Sequence, residues 1–199
     1  SMSVGMERDI GHEYITSLEE RLTDSVRTTV PTGWDIIDEV MDGGLGAGEL
    51  GVIVAPAGIG KTWMLQAIGA SGMKKGLTVV HYSLELNQTY VGLRYDTVFS
   101  GITTGNIKFY KEDVQKKIDQ LKGNLYVKYY PTRSATVQTL NAHLKQLEMQ
   151  SIKPDMVIVD YADIVKPIGT FREKRHSIGD NYERLRELAG EFEIPVWTA

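Results

Sequence analysis

Ala55-Pro56-Ala57-Gly58-Ile59-Gly60-Lys61-Thr62 follows the apolar run Leu50 to Val54 and opens the amphipathic run Trp63 to Ala70. Strand, glycine-bearing loop, Lys-Thr and helix, in that order, are the layout of a phosphate-binding P-loop. A loop without bulky side chains lets successive backbone N–H groups turn toward a polyphosphate. The helix starting near Gly60 aims its positive end at the same anion. Lys61 is expected to reach the β- and γ-phosphates, and the Thr62 hydroxyl to ligate Mg²⁺. The pattern usually begins with Gly, and Ala55 stands there in this chain. An ordinary glycine-rich turn between strand and helix would leave Lys61 without a role.

Two further strands complete the reading. Leu77-Thr78-Val79-Val80-His81-Tyr82 is mostly apolar and runs into Ser83-Leu84-Glu85-Leu86. A carboxylate at the carboxyl end of a parallel strand lies where α/β sheets place their ligands. Glu85 is therefore a candidate to orient and deprotonate the water that attacks a γ-phosphate. Met156-Val157-Ile158-Val159-Asp160 has the form of a central parallel strand covered on both faces, capped by Asp. That is also the form of a Walker B segment, and Asp160 is expected to hold Mg²⁺ beside Thr62.

Beyond Asp160, the segment Lys166 to Asp180 carries Lys166, Arg172, Lys174, Arg175 and His176, with Gly169 and Gly179. It is the one cluster of positive charge in an acidic chain and reads as a loop at the ligand edge of the sheet. Such a loop could grip the phosphates of a single strand, although a solvated surface loop has the same composition. Asn181 to Gly190 reads as a helix, and Ile194 to Thr198 begins another strand. Upstream, residues 6–22 place Met6, Ile10, Tyr14, Ile15, Leu18 and Leu22 largely on one helical stripe. A lone amphipathic helix must dock, on its own domain or on a neighbouring copy. Asp42 to Glu49 is a glycine-rich connector, expected to be an ordered turn because Leu45 interrupts it. Spacing also predicts helices over Gln88–Ser100, Lys111–Leu121 and Thr136–Met149, and a strand over Leu125–Tyr130.

The 199 residues suffice for one α/β domain and a short appendage, so the division is residues 1–29 and 30–199. Ser1-Met2 reads as an expression scar. The formal net charge of −4 means that any grip on nucleic acid must come from locally clustered Lys and Arg. There is no cysteine, which excludes disulfides and Cys-based metal sites. No apolar run approaches the roughly 20 residues that span a bilayer.

In this order the motifs resemble a known family. Val30-Pro31-Thr32-Gly33-Trp34, Ile37-Asp38, Gly43-Gly44-Leu45, Gly48-Glu49-Leu50 and the P-loop resemble the entry to the RecA-like motor domain of DnaB-type replicative helicases. Ser83-Leu84-Glu85 resembles their Ser-Leu-Glu motif, and Asp160-Tyr161 their Asp-Tyr after Walker B. Ala55 is no departure, because those helicases often carry Ala there. Tyr130-Pro131-Thr132 through Tyr161 looks most like the replicative helicases of tailed phages. The resemblance covers roughly residues 30 to 199.

It implies a mostly parallel sheet with helices on both faces, a hexameric homo-oligomeric ring around single-stranded DNA, and ATP with Mg²⁺ bound between subunits. It implies Glu85 as the base, residues 6–22 as the linker helix that docks on the next subunit, and Lys166, Arg172, Lys174 and Arg175 as DNA contacts. Primase and a helicase loader are implied partners, in the cytoplasm of a bacterial or phage-infected cell. The family's polar sensor, second DNA loop and arginine finger lie beyond the last strand. The chain ends at Ala199 within that strand, so a C-terminally incomplete domain is expected to bind Mg-ATP and turn it over poorly. Losing such a finger costs about 10³ to 10⁵ in rate. A recombinase or clock-type RecA-like ATPase shares the Gly-Gly-Leu entry and P-loop but matches Ser-Leu-Glu and Asp-Tyr less well. A nucleotide-binding half of a split protein remains a third reading.

Overall fold

The computed structural model describes residues 14–16, 18, 19, 22, 27–162, 165–167 and 174–199, with side chains of the last stretch described from 178. The chain runs β1 (Thr29–Val30), α1 (Asp35–Val40), β2 (Leu45–Gly46), β3 (Leu50–Val52), α2 (Lys61–Lys74), β4 (Thr78–Ser83) and α3 (Gln88–Ser100). It continues through a 3₁₀ turn (Ile107–Phe109), α4 (Lys111–Ile118), β5 (Asn124–Tyr129), α5 (Val137–Met149), β6 (Met156–Asp160), α6 (Lys174–Phe192) and β7 (Val196–Thr198). Five strands form one all-parallel sheet in the order β3-β7-β6-β4-β5.

Alternation along the central strands divides the core into two layers. Val80, Tyr82, Val157 and Val159 face α5 and α6, and meet Leu140, Leu144, Leu185 and Leu188 there. Val79, Met156, Ile158 and Trp197 face the other way, toward Leu65, Ile68, Val91 and Tyr95 of α2 and α3. Apolar residues on both faces of β4 and β6 explain why those strands read as unbroken runs. α2 approaches the sheet closely because Gly69 has no side chain: a Cβ there would collide with Tyr95 Oη and press on Ile158.

Both connectors on the N-terminal side are ordered. Leu45 is buried and pairs in β2 with Val30 of β1, so the glycine-rich stretch is a built turn, as Leu45 implied. The two-residue ladder itself is too short to show a period in sequence. Asp38 fastens the turn before α1 by accepting hydrogen bonds from Thr32 N, Thr32 Oγ1 and Gly33 N.

Helix α6 begins at Lys174, where the sequence reads as a loop up to Asp180. The core-facing stripe explains the difference. Asn181, Leu185, Leu188 and Ala189 are buried, and Gly179 and Asp180 sit one turn or less before them as ordinary helical residues. Of the helix expected over 6–22, only Tyr14–Thr16, Leu18, Glu19 and Leu22 are among the described residues, and the last three are helical.

Strand β4 is fastened to a helix on each face by a His–Tyr pair. His81 Nδ1 and Tyr95 Oη of α3 share a hydrogen bond of 2.9 Å, and Tyr82 Oη and His143 Nδ1 of α5 share another of 2.9 Å. His81 is fully buried, and burial pushes its pKa down to about 3. The unfolded chain therefore takes up a proton at a higher pH than the folded one. The stability held by neutral His81 is complete above about pH 6.5 and is lost as pH falls toward 3. Between pH 7 and pH 4.5 the wild type is expected to lose about 2 to 3 kcal/mol more than His81→Gln, which cannot titrate. Urea unfolding of both proteins at the two pH values measures this, and parallel losses would refute it.

Candidate functional site

The carboxyl ends of the central strands are held level. Ser83 of β4 pairs with Asp160 of β6, and Leu84 N donates to Asp160 O at 3.0 Å. Glu85 follows two residues after Ser83, within a tight turn in which Ser83 Oγ donates to Leu86 O and accepts from Leu86 N. The same edge of the sheet carries the loop after β3, and a cavity of about 530 Å³ opens between that loop and α3.

On the loop side, Gly60 is the N-cap of α2, with φ 106° and ψ 25°. That left-handed conformation is what glycine adopts without penalty, and a Cβ at Gly60 would meet nothing within 4 Å. Backbone geometry, not crowding, thus demands glycine here. No side chain caps the first turn of α2 and no acidic residue lies in it, so its positive end is open to an anion. Lys61 Nζ donates to Ala55 O at 3.1 Å and lies 5.9 Å from the centre of the Tyr161 ring.

Thr62 Oγ1 donates to Asp160 Oδ1 at 3.2 Å, bringing together two side chains 98 residues apart. Asp160 is 2% exposed. Burial pushes its pKa up to about 6, Glu85 adds to the rise, and the Thr62 hydrogen bond, Arg94 and Lys61 oppose it. Two hard oxygen donors side by side fit Mg²⁺, which takes few protein ligands and completes its shell with phosphate and water oxygens. An all-protein cage is not there: among the described residues no group of three or more His, Asp or Glu could hold an ion.

The buried charge has a measurable cost. A carboxylate whose folded pKa is raised destabilises the protein above that pKa, and the penalty fades as pH falls from about 6 to 3.8. Asp160→Asn is expected to stabilise the protein by about 2 to 3 kcal/mol at pH 7.5 in EDTA. Chemical denaturation of the two proteins checks this, and an unchanged or lower stability of the variant contradicts it.

Of the residues singled out in sequence, Ala57, Gly58, Gly60, Lys61, Thr62, Glu85 and Asp160 meet at this one cavity. Ala55 contributes its carbonyl, and Pro56 and Ile59 lie exposed on the loop. Of the basic segment, Lys166 is not among the residues that line the cavity. Lys166 is exposed, and its backbone N–H donates to Ala135 O at 2.8 Å. Arg172 lies outside the described residues. Lys174 and Arg175 begin α6, with their side chains outside the described set. Sequence reasoning missed Arg94 and Trp63, which also line the cavity. Arg94 is a charged residue on a helix whose spacing says only that one face is buried, and Trp63 reads as part of an apolar stripe.

The all-parallel sheet and the loop, hydroxyl and carboxylates at its edge are those of a P-loop α/β protein of the RecA-like class. Residues 29–199 match the DnaB-like helicase C terminal domain, and the chain belongs to that family. It is 28% identical to the DnaB-like replicative helicase of Enterobacteria phage T4, in an alignment covering 100% of this chain and 45% of that protein. It is 22% identical to the replicative DNA helicase DnaB of Helicobacter pylori, over 92% of this chain and 40% of that one. The chain thus spans less than half the length of these curated relatives. A solved structure described as a DnaB-like replicative helicase and its interactions with primase superposes with a TM-score of 0.75. At 20% identity, over 96% of this chain and 48% of that one, the likeness establishes the fold.

Proposed function

We propose that this chain is the ATP-hydrolysing motor domain of a replicative DNA helicase, using Mg-ATP to translocate on single-stranded DNA and separate the duplex. The observation that carries the reading is the meeting of Lys61, Thr62, Glu85 and Asp160 at one cavity beside an uncapped helix N-terminus. Family membership fits it.

In this reading the loop amides of residues 55–60 and the start of α2 bind the polyphosphate, and Lys61 neutralises its outer oxygens. Thr62 and Asp160 would hold Mg²⁺, which supplies charge neutralisation at the phosphates when bound. Glu85, exposed at the end of β4, accepts the proton of the attacking water. Asp160 is poised for a cation because burial disfavours its bare charge. Arg94 adds a second cation on the α3 wall of the cavity.

The same reading makes residues 30–199 the ATPase unit and residues 1–29 a tag remnant and linker. It takes a hexameric homo-oligomer as the working form, with primase and a helicase loader as further partners. Lys166, Arg172, Lys174 and Arg175 are its contacts to DNA phosphates. No helix among the described residues is long and apolar enough to cross a membrane.

The test is ATP-driven separation of a forked duplex with a free 5′ tail, using the whole protein that contains this chain and a Lys61→Ala control. Strand separation that disappears in the control supports the helicase. ATP hydrolysis stimulated by single-stranded DNA without strand separation points instead to a recombinase-like motor. No response to DNA sinks the motor reading.

A further inference from the structure

Arg94 and Trp63 stand at the phosphate cavity on two different elements, and they touch. Trp63 is the third residue of α2, directly after Thr62, and is 38% exposed at the rim. Arg94 projects from the second turn of α3, with its guanidinium carbon 5.1 Å from the centre of the Trp63 ring. Among the described residues Arg94 enters no ion pair. Its charge is therefore held at the cavity by an aromatic face and left available to an anion.

The neighbouring charges show which anion. Lys61 and Arg94 are the cations of the cavity, and Glu85 and Asp160 are its carboxylates, so these four groups sum to zero. A nucleoside triphosphate brings about one more negative charge than a diphosphate, and that charge lies at the end of the chain farthest from the sugar. The glycine loop and the start of α2 line the cavity together with Glu85, after β4, and Arg94, on α3. In the reading above the loop amides take the inner phosphates and Lys61 reaches the outer oxygens, and Arg94 is the second cation of the cavity that can meet the added charge of the terminal phosphate.

α3 is itself fixed at this level. Tyr95, the next residue, is bound through its hydroxyl to His81 of β4, and Gly69 of α2 packs against that hydroxyl. The Arg94 backbone is thus anchored, and its long side chain is the remaining freedom. A stacked guanidinium gives up that freedom before the ligand arrives, so less is lost on binding.

We infer that Trp63 is a positioning residue that holds Arg94 ready for the terminal phosphate, and that the pair makes the site distinguish nucleoside triphosphate from diphosphate. The inference rests on the nucleotide-site reading above and gives the same chain, rather than a neighbouring copy, a means of sensing that phosphate.

Binding of ADP and of a slowly hydrolysed ATP analogue, measured by calorimetry with Mg²⁺, tests it without turnover. Trp63→Ala is expected to lower the preference for the triphosphate about fivefold while ADP affinity stays within twofold. Trp63→Phe, which keeps an aromatic face, is expected to retain most of the preference. Arg94→Ala should lose at least as much as Trp63→Ala, and adding Trp63→Ala to it should change nothing more. An unchanged preference in Trp63→Ala, equal losses for both ligands, or additive losses in the double variant each overturn the inference. Lys61→Ala separates the two levels. If it leaves both ligands bound as before, the nucleotide-site reading has failed; if it abolishes binding while Trp63→Ala changes nothing, only the positioning role has.

Discussion

Glu85→Gln is expected to slow ATP hydrolysis by about 10² to 10⁴ while nucleotide affinity stays within about twofold. Gln preserves the size and the hydrogen-bonding carbonyl of Glu but cannot take a proton. The position is also insulated from the fold. Glu85 is exposed to the cavity, whereas the turn that carries it is held by Ser83 and Leu86 and by Thr132 Oγ1 donating to Leu84 O at 3.0 Å. The change therefore reaches the chemistry without disturbing the loop that binds phosphate. Single-turnover hydrolysis by the whole protein, beside calorimetry of nucleotide binding, measures the two effects apart. Hydrolysis at the native rate would remove Glu85 from the role of base, and a parallel loss of binding would make it a ligand contact instead.

Lys61→Ala is expected to weaken binding of both ADP and ATP by about 100-fold or more. In the structure the Lys61 ammonium rests on neutral partners, the Ala55 carbonyl and the Tyr161 ring, and enters no ion pair among the described residues. Its charge is thus committed to nothing that the polyphosphate would have to displace. Removing it leaves the loop amides to face the anion alone, next to the two carboxylates of Asp160 and Glu85. Calorimetry with both nucleotides and Mg²⁺ gives the answer. Dissociation constants within threefold of wild type would show that the loop is not the phosphate site.

What was legible in the sequence was what depends on local backbone and on strand burial. Gly60 marks itself because the chain there needs a left-handed residue just before Lys61, a local requirement with a short signature. Asp160 is legible because β6 is buried on both faces and the apolar run must end where the strand meets solvent or ligand. What stayed hidden depends on how helices are turned. Arg94 and Asp96 flank buried Tyr95 in one helix, and only the packing of α3 decides that Arg94 reaches the cavity. The beginning of α6 was hidden for another reason. Gly179 and Asp180 are residues of low helix propensity, and tertiary packing of the stripe that follows them overrides it. The His81–Tyr95 bond joins residues 14 apart on two different elements, and no spacing rule marks either partner.

That bond also bears on how the sequence can drift over generations. Losing either partner alone strands a polar group in the layer between the sheet and α3, a penalty of about 1 to 3 kcal/mol, whereas exchanging both for apolar residues of matching shape is close to neutral. Positions 81 and 95 should therefore change in concert among relatives of this chain, as polar pair or as apolar pair, with the mixed states rare. The partly solvated Tyr82–His143 pair on the opposite face of β4 imposes a weaker tie, because water can take the place of a lost partner at His143.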